Sequence, residues 1–94
     1  MYNKKVFVNH LGQTTTHPLL LEIDHAEGIY LYDKSGKRYM DMISGIAVSS
    51  LGHGHPRIKE ALKKQIEKHL HVMVYGEFIQ DAQLELSKNL RALL

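Results

Sequence analysis

From Pro56 onward the chain carries a pattern that a helix satisfies. Ile58, Ala61, Leu62, Ile66 and Leu70 recur at three- and four-residue spacing, while Arg57, Lys59, Glu60, Lys63, Lys64, Glu67 and Lys68 fill the positions between. A 3.6-residue period gathers the first set into one apolar stripe and leaves the second set facing away from it. Pro56 stands where the first helical residue belongs, because the N–H it lacks has no partner there in any case. Glu60 lies four residues before Lys64, the favourable order for an ion pair along a helix. The pattern predicts a helix over 56–70.

The rest of the chain is arranged around that helix. Residues 1–18 are polar with few periodic apolar positions, and Pro18 biases His17 towards an extended backbone, so this stretch reads as an irregular arm. Short apolar runs follow: Leu19–Ile23, bounded by Asp24-His25, then Ile29-Tyr30-Leu31-Tyr32, then Arg38–Met42. Asp33-Lys34-Ser35-Gly36 joins the last two as a turn. The Asp33 carboxylate can accept from backbone N–H groups two or three residues on, and Gly36 can take a positive φ. Three successive short strands predict an antiparallel meander over 19–42. Residues 44–56 form a loop with three glycines and three serines, which lets the backbone approach other groups closely. Val72–Ile79 reads as a short extended or loop segment broken by Gly76, and a second helix is expected from about Asp81 to Leu94, with Leu86, Leu90 and Leu93 on one face. That helix reaches the end of the chain inside its apolar pattern, without a glycine, asparagine or proline to cap it, and reads as truncated.

Composition narrows the chemistry. Ninety-four residues with 44% hydrophobic side chains fit one small α+β domain or part of a larger one. A unit of this size hides only about 60–70% of its unfolded surface, so its stability is expected to lean on a neighbour. With no cysteine, disulfides, thiolate metal sites and cysteine nucleophiles are excluded. A formal charge of +2 is too mild to imply nucleic acid. The longest aliphatic run is Leu19-Leu20-Leu21, so no signal peptide or membrane span is read, and the cytoplasm is the expected compartment.

Three clusters invite a functional reading and each has a structural one beside it. His53 with His55, and His69 with His71, have the i, i+2 spacing that puts two imidazoles on one side of an extended segment and could chelate a metal. No carboxylate stands at a familiar ligand spacing, and hydrogen bonds to backbone groups are the favoured reading. Gly52-His53-Gly54 leads into a helix N-terminus, a place that favours anions, but the dinucleotide fingerprint fails because Arg57 occupies the position of its next glycine. A tight loop-to-helix turn is the favoured reading. Lys59, Lys63, Lys64 and Lys68 are interrupted by Glu60 and Glu67 and read as a solvated face. No spacing binds the serines, histidines and aspartates into a catalytic triad.

Read in order, Gly28–Asp41, then Ser44-Gly45-Ile46-Ala47-Val48-Ser49-Ser50-Leu51-Gly52-His53-Gly54-His55-Pro56, then Ala61-Leu62-x-x-Gln65, the chain resembles the opening of the class III aminotransferases from about Pro18 to Leu94. Ser-Gly-Ile-Ala-Val before Leu-Gly-His is most similar to the acetylornithine and ornithine enzymes of that family. A departure falls at His71-Val72-Met73-Val74-Tyr75-Gly76, where those enzymes carry a serine or threonine soon after the histidine. The resemblance implies the N-terminal part of the small domain of a fold-type-I, pyridoxal-phosphate-dependent transferase, working as a homodimer with its active sites at the subunit interface. It implies transfer of an amino group from an (acyl)ornithine-like donor to 2-oxoglutarate. Thr16, Gly45, Ile46, Ala47, Val48 and Tyr75 become the residues expected to line the substrate side of the pocket, their small or apolar character leaving room for an aliphatic chain and excluding water. The Schiff-base lysine and the cofactor's other holders are expected in the large domain, and none of the nine lysines here matches that motif, so the 94-residue piece is expected to be inactive. The alternative from another class is a stand-alone α+β binding or dimerisation module.

Overall fold

The computed structural model describes residues 2–73 and 75–94, with elements in the order α1 (Tyr2–His10), β1 (Ile23–Glu27), β2 (Tyr30–Asp33), β3 (Arg38–Met40), α2 (Ser44–Ala47), α3 (Pro56–Lys68) and α4 (Asp81–Leu93). The chain divides into two units, Met1–Glu60 and Ala61–Leu94.

In the first unit the three strands form an antiparallel meander in the order β1-β2-β3, as the alternation of short apolar runs and turns leads one to expect. The register pairs His25 with Tyr32, Glu27 with Tyr30, Tyr30 with Met40 and Tyr32 with Arg38. Because side chains alternate between faces, these six share one face. The rings of His25 and Tyr32 stack with centroids 4.6 Å apart, and the Arg38 guanidinium lies 4.3 Å from the Tyr30 ring. Ala26, Leu31 and Tyr39 share the opposite face.

The first strand lies later than its apolar run suggests. Leu19–Leu21 are outside the sheet, and the strand is Ile23–Glu27, which includes the polar Asp24 and His25 taken as its boundary. Leu20 has φ 52°, which breaks any extended run through the leucines. The ring stack on Tyr32 supplies His25 with a cross-strand partner that hydrophobicity alone does not show. A bulge between Ile23 and His25 then shifts the pairing.

The N-terminal stretch is corrected as well: Tyr2–His10 is helical, and only residues 11–18 are irregular. Its carbonyl end is tied from outside, since the Gln13 amide donates to the Phe7 carbonyl at 2.9 Å and to that of Leu11. Asn3 donates to Glu22 at 3.3 Å. Phe7 is half-buried and, with Pro18, Leu19, Leu21, Ile23 and Leu31, borders an open groove of about 520 Å³. The helix therefore rests on tertiary partners, which a local period does not reveal.

The β2–β3 turn follows the expected chemistry and extends it. One Asp33 oxygen accepts from the Ser35 N–H (2.9 Å), the Ser35 hydroxyl (2.6 Å) and the Lys37 N–H (3.0 Å), and the other from the Tyr39 hydroxyl (3.0 Å). The Ser35 hydroxyl above all, with Lys37, Tyr39 and the Ser35 amide, outweighs partial burial and holds the carboxyl at about 2, below its ordinary 3.8. A depressed folded-state pKa gives stability that is present above pH 3.8 and lost as pH falls towards 2. Asp33→Asn is expected to flatten the acid limb of the unfolding curve over that window. An acid titration identical to wild type would show that the turn contributes nothing to it.

α3 ends at Lys68, two residues before Leu70, where the Gln65 amide donates to the His69 carbonyl at 3.1 Å. In the second unit α4 occupies Asp81–Leu93, within the range its apolar spacing predicts. Between them the described part of Val72–Ile79 is irregular, while Val74 of that segment lies outside the described residues. No described residue is buried, and the apolar stripes stand open: Leu62 is 57% exposed, Ile66 59% and Leu90 47%.

Candidate functional site

The segment from Met42 to Gly52 leaves the sheet and returns to almost the same place. Its first neighbour, Asp41, donates its N–H to the Ile29 carbonyl at 2.8 Å. Its last neighbour, His53, exchanges two hydrogen bonds with Gly28, of 2.7 and 3.0 Å. Gly28 and Ile29 form the two-residue tip of the β1–β2 hairpin, and Gly28, with φ 57°, fills the loop position that wants glycine. Consecutive residues thus hold the two ends of one compact loop.

A second tie runs through side chains. The Asp41 carboxylate accepts from the N–H of Ser44 (2.8 Å) and of Ile43 (3.1 Å) with one oxygen, and meets His53 Nε2 at 2.6 Å with the other. The Asp41 side chain is 8% exposed and that of His53 21%. The Ser44 amide, then His53, then the Ile43 amide lower the Asp41 pKa against the opposing effect of burial, so the carboxylate is the favoured form.

Between these ties the backbone turns left-handed. Ser44, Gly45, Ile46 and Ala47 have φ of 53°, 60°, 63° and 62°, and α2 is a single turn of this hand within the glycine- and serine-rich loop expected there. Val48 and Ser49 both donate to the Ser44 carbonyl, at 2.8 and 2.9 Å, and the Ser50 hydroxyl donates to the Ala47 carbonyl at 3.2 Å. For residues with a Cβ this conformation costs roughly 1–2 kcal/mol each, and β-branched Ile46 is the least suited. Consecutive strained residues persist where surrounding contacts over-determine them, and such places cluster at functional sites.

Of the six residues expected to line a substrate pocket, Gly45, Ile46, Ala47 and Val48 are brought together on this turn. It presents Ile46 and Val48 to solvent, 86% and 78% exposed. Thr16 is apart in sequence, in the irregular stretch after α1, with its hydroxyl 2.8 Å from His17 Nδ1. Tyr75 belongs to the second unit and is exposed. None of the six borders the groove beside Phe7. Asp41 and His53 were missed as a pair. Their separation of twelve residues gives no periodic signal, although an aspartate two residues before a free N–H is a recognisable turn device.

Three of the four paired histidines have local partners: His53 on Asp41, His55 Nδ1 accepting from the Arg57 N–H at 3.2 Å, and His69 beside Gln65. Gly52-His53-Gly54 serves the loop-to-helix turn. Gly52 has φ 82°, and a Cβ there would lie 3.1 Å from the Gly28 carbonyl oxygen.

Residues 11–94 match the family described as Aminotransferase class-III. The chain belongs to the class-III aminotransferase family, whose members use pyridoxal phosphate. It is 40% identical over 81 residues to the acetylornithine aminotransferase of Archaeoglobus fulgidus, covering 86% of this chain and 21% of that protein. To the acetylornithine aminotransferase of Aquifex aeolicus it is 61% identical over 46 residues, 49% of this chain and 12% of the relative. The fold matches the crystal structure of acetylornithine aminotransferase from Elizabethkingia anophelis with a TM-score of 0.82 at 30% identity, over 99% of this chain and 24% of that one. The chain thus spans a quarter or less of these relatives.

All nine lysines are exposed, whereas a Schiff-base lysine needs a shielded setting that lowers its pKa. What the Gly45–Val48 turn offers is a run of exposed small and apolar side chains. Among the described residues no helix is long and apolar enough to cross a membrane.

Proposed function

We propose that this chain is the N-terminal part of the small domain of a cytoplasmic, homodimeric transaminase that passes an amino group from an (acyl)ornithine-like donor to 2-oxoglutarate. The carrying observation is the left-handed turn, which presents small and apolar side chains at the place where the family resemblance puts the substrate wall. Gly45 and Ala47 leave space for an aliphatic chain, and Ile46 and Val48 exclude water from it. Thr16 and Tyr75 complete that lining in the assembled enzyme. Pyridoxal phosphate, when bound, supplies the carbonyl that takes up and releases the amino group; its lysine belongs to the remainder of the enzyme, so the 94-residue piece is inactive. The exposed stripes of α3 and α4 are surfaces for that remainder to cover.

The names of the similar proteins support an ornithine-type donor. The test is to mix the full-length protein with pyridoxal phosphate and acetylornithine, ornithine or 4-aminobutyrate in turn, and to follow the cofactor's absorbance and the glutamate formed from 2-oxoglutarate. A protein that stays colourless, or a bound cofactor unchanged by every donor, sinks the proposal.

A further inference from the structure

We propose that Asp41 and His53 are positioning residues for the substrate wall: their side-chain pair closes the Met42–Gly52 loop and holds Gly45–Val48 in the left-handed turn in which an amino donor meets them. This rests on the reading of Gly45–Val48 as that wall.

Three observations carry it. The turn is held in a hand that Ser44, Ile46 and Ala47 do not choose by themselves, with φ of 53°, 63° and 62°. The groups that set its entry are the N–H of Ile43 and of Ser44, and both are satisfied by one Asp41 oxygen, at 3.1 and 2.8 Å. The other Asp41 oxygen is 2.6 Å from His53 Nε2, and the His53 backbone is fixed to Gly28. One carboxylate therefore bonds to the start of the loop and to its end. Without it, Ile43 and Ser44 lose the acceptor that orients the first left-handed residue, and the turn is free to relax towards the right-handed region. Ile46 and Val48 would then move, although neither touches Asp41 through any bond described above.

The experiment uses the full-length enzyme with Asp41→Ala, Asp41→Asn and the double change Asp41→Ala with Ser44→Gly. Asp41→Ala is expected to raise KM for the amino donor roughly tenfold with a much smaller change in kcat, a modest consequence for a wall displaced by about 1 Å. Asp41→Asn should recover most of the loss, because its Oδ1 still accepts from both N–H groups and its Nδ2 can donate to a neutral imidazole. Ser44→Gly should recover part of it in the Asp41→Ala background, since glycine adopts the left-handed region without a Cβ penalty. Hydrogen exchange of the Val48 and Ser49 amides, read without substrate, should quicken by about tenfold in Asp41→Ala and slow again in the double variant. An Asp41→Ala enzyme with wild-type KM and unchanged exchange at these amides overturns the inference while leaving the transaminase reading intact. So does a loss of kcat and KM together that neither Asn nor glycine repairs, which marks general damage to the fold. A wild-type protein without amino transfer removes the transaminase reading and this inference with it.

Discussion

Gly52→Ala is expected to cost about 2 kcal/mol or more of stability, against about 1 kcal/mol for Gly28→Ala. Both glycines have positive φ, 82° and 57°, and both lose the same freedom when a Cβ is added. Only at Gly52 does the new atom also meet backbone, 3.1 Å from the Gly28 carbonyl oxygen, whereas at Gly28 it meets nothing within 4 Å. That carbonyl accepts the His53 N–H, so it cannot withdraw without breaking the bridge that closes the loop. Chemical unfolding of the two variants side by side checks the ranking. Equal losses would mean that dihedral preference alone acts at both positions and that the close approach is slack.

Ile46→Asn is expected to raise KM for an aliphatic amino donor by ten- to a hundredfold, corresponding to about 1–3 kcal/mol for an amide set against an apolar chain. Asparagine is chosen because it tolerates the left-handed region better than isoleucine does, so the backbone at φ 63° is eased rather than strained. Ile46 is 86% exposed and little packing within this segment is lost. A rise in KM with unchanged unfolding would place the effect in the donor's contact with the side chain. Unchanged KM would remove Ile46 from the substrate wall.

The sequence carried some of this plainly. α3 was legible because its apolar period, Pro56 at its start and its charged outer face all indicate one structure. The β2–β3 turn was legible because Asp33 and Gly36 each have a local reason to be there. α1 was hidden because its end is completed by Gln13 and its one half-buried side chain, Phe7, rests among leucines a dozen or more residues away. β1 was misplaced because His25 enters the sheet by stacking on Tyr32, a partner on another strand. The left-handed turn was the least visible feature. Every local preference of Ile46 opposes it, and the restraint that overrules those preferences joins Asp41 to His53 across the whole loop. The segment's composition announced a close-packed loop but not its hand.

Fastening both ends of a segment to adjacent peptide groups of one hairpin has a consequence for how such a protein can change. The closure at Gly28 and Ile29 is made by backbone atoms, and so, Gly52 apart, is largely indifferent to which side chains lie between. Residues of the loop can be exchanged, or one or two added at modest entropic cost, while the strands keep their register. The arrangement works as a replaceable cartridge: on the proposed reading of Gly45–Val48, donor preference can be rewritten inside it without renegotiating the frame on which it is mounted.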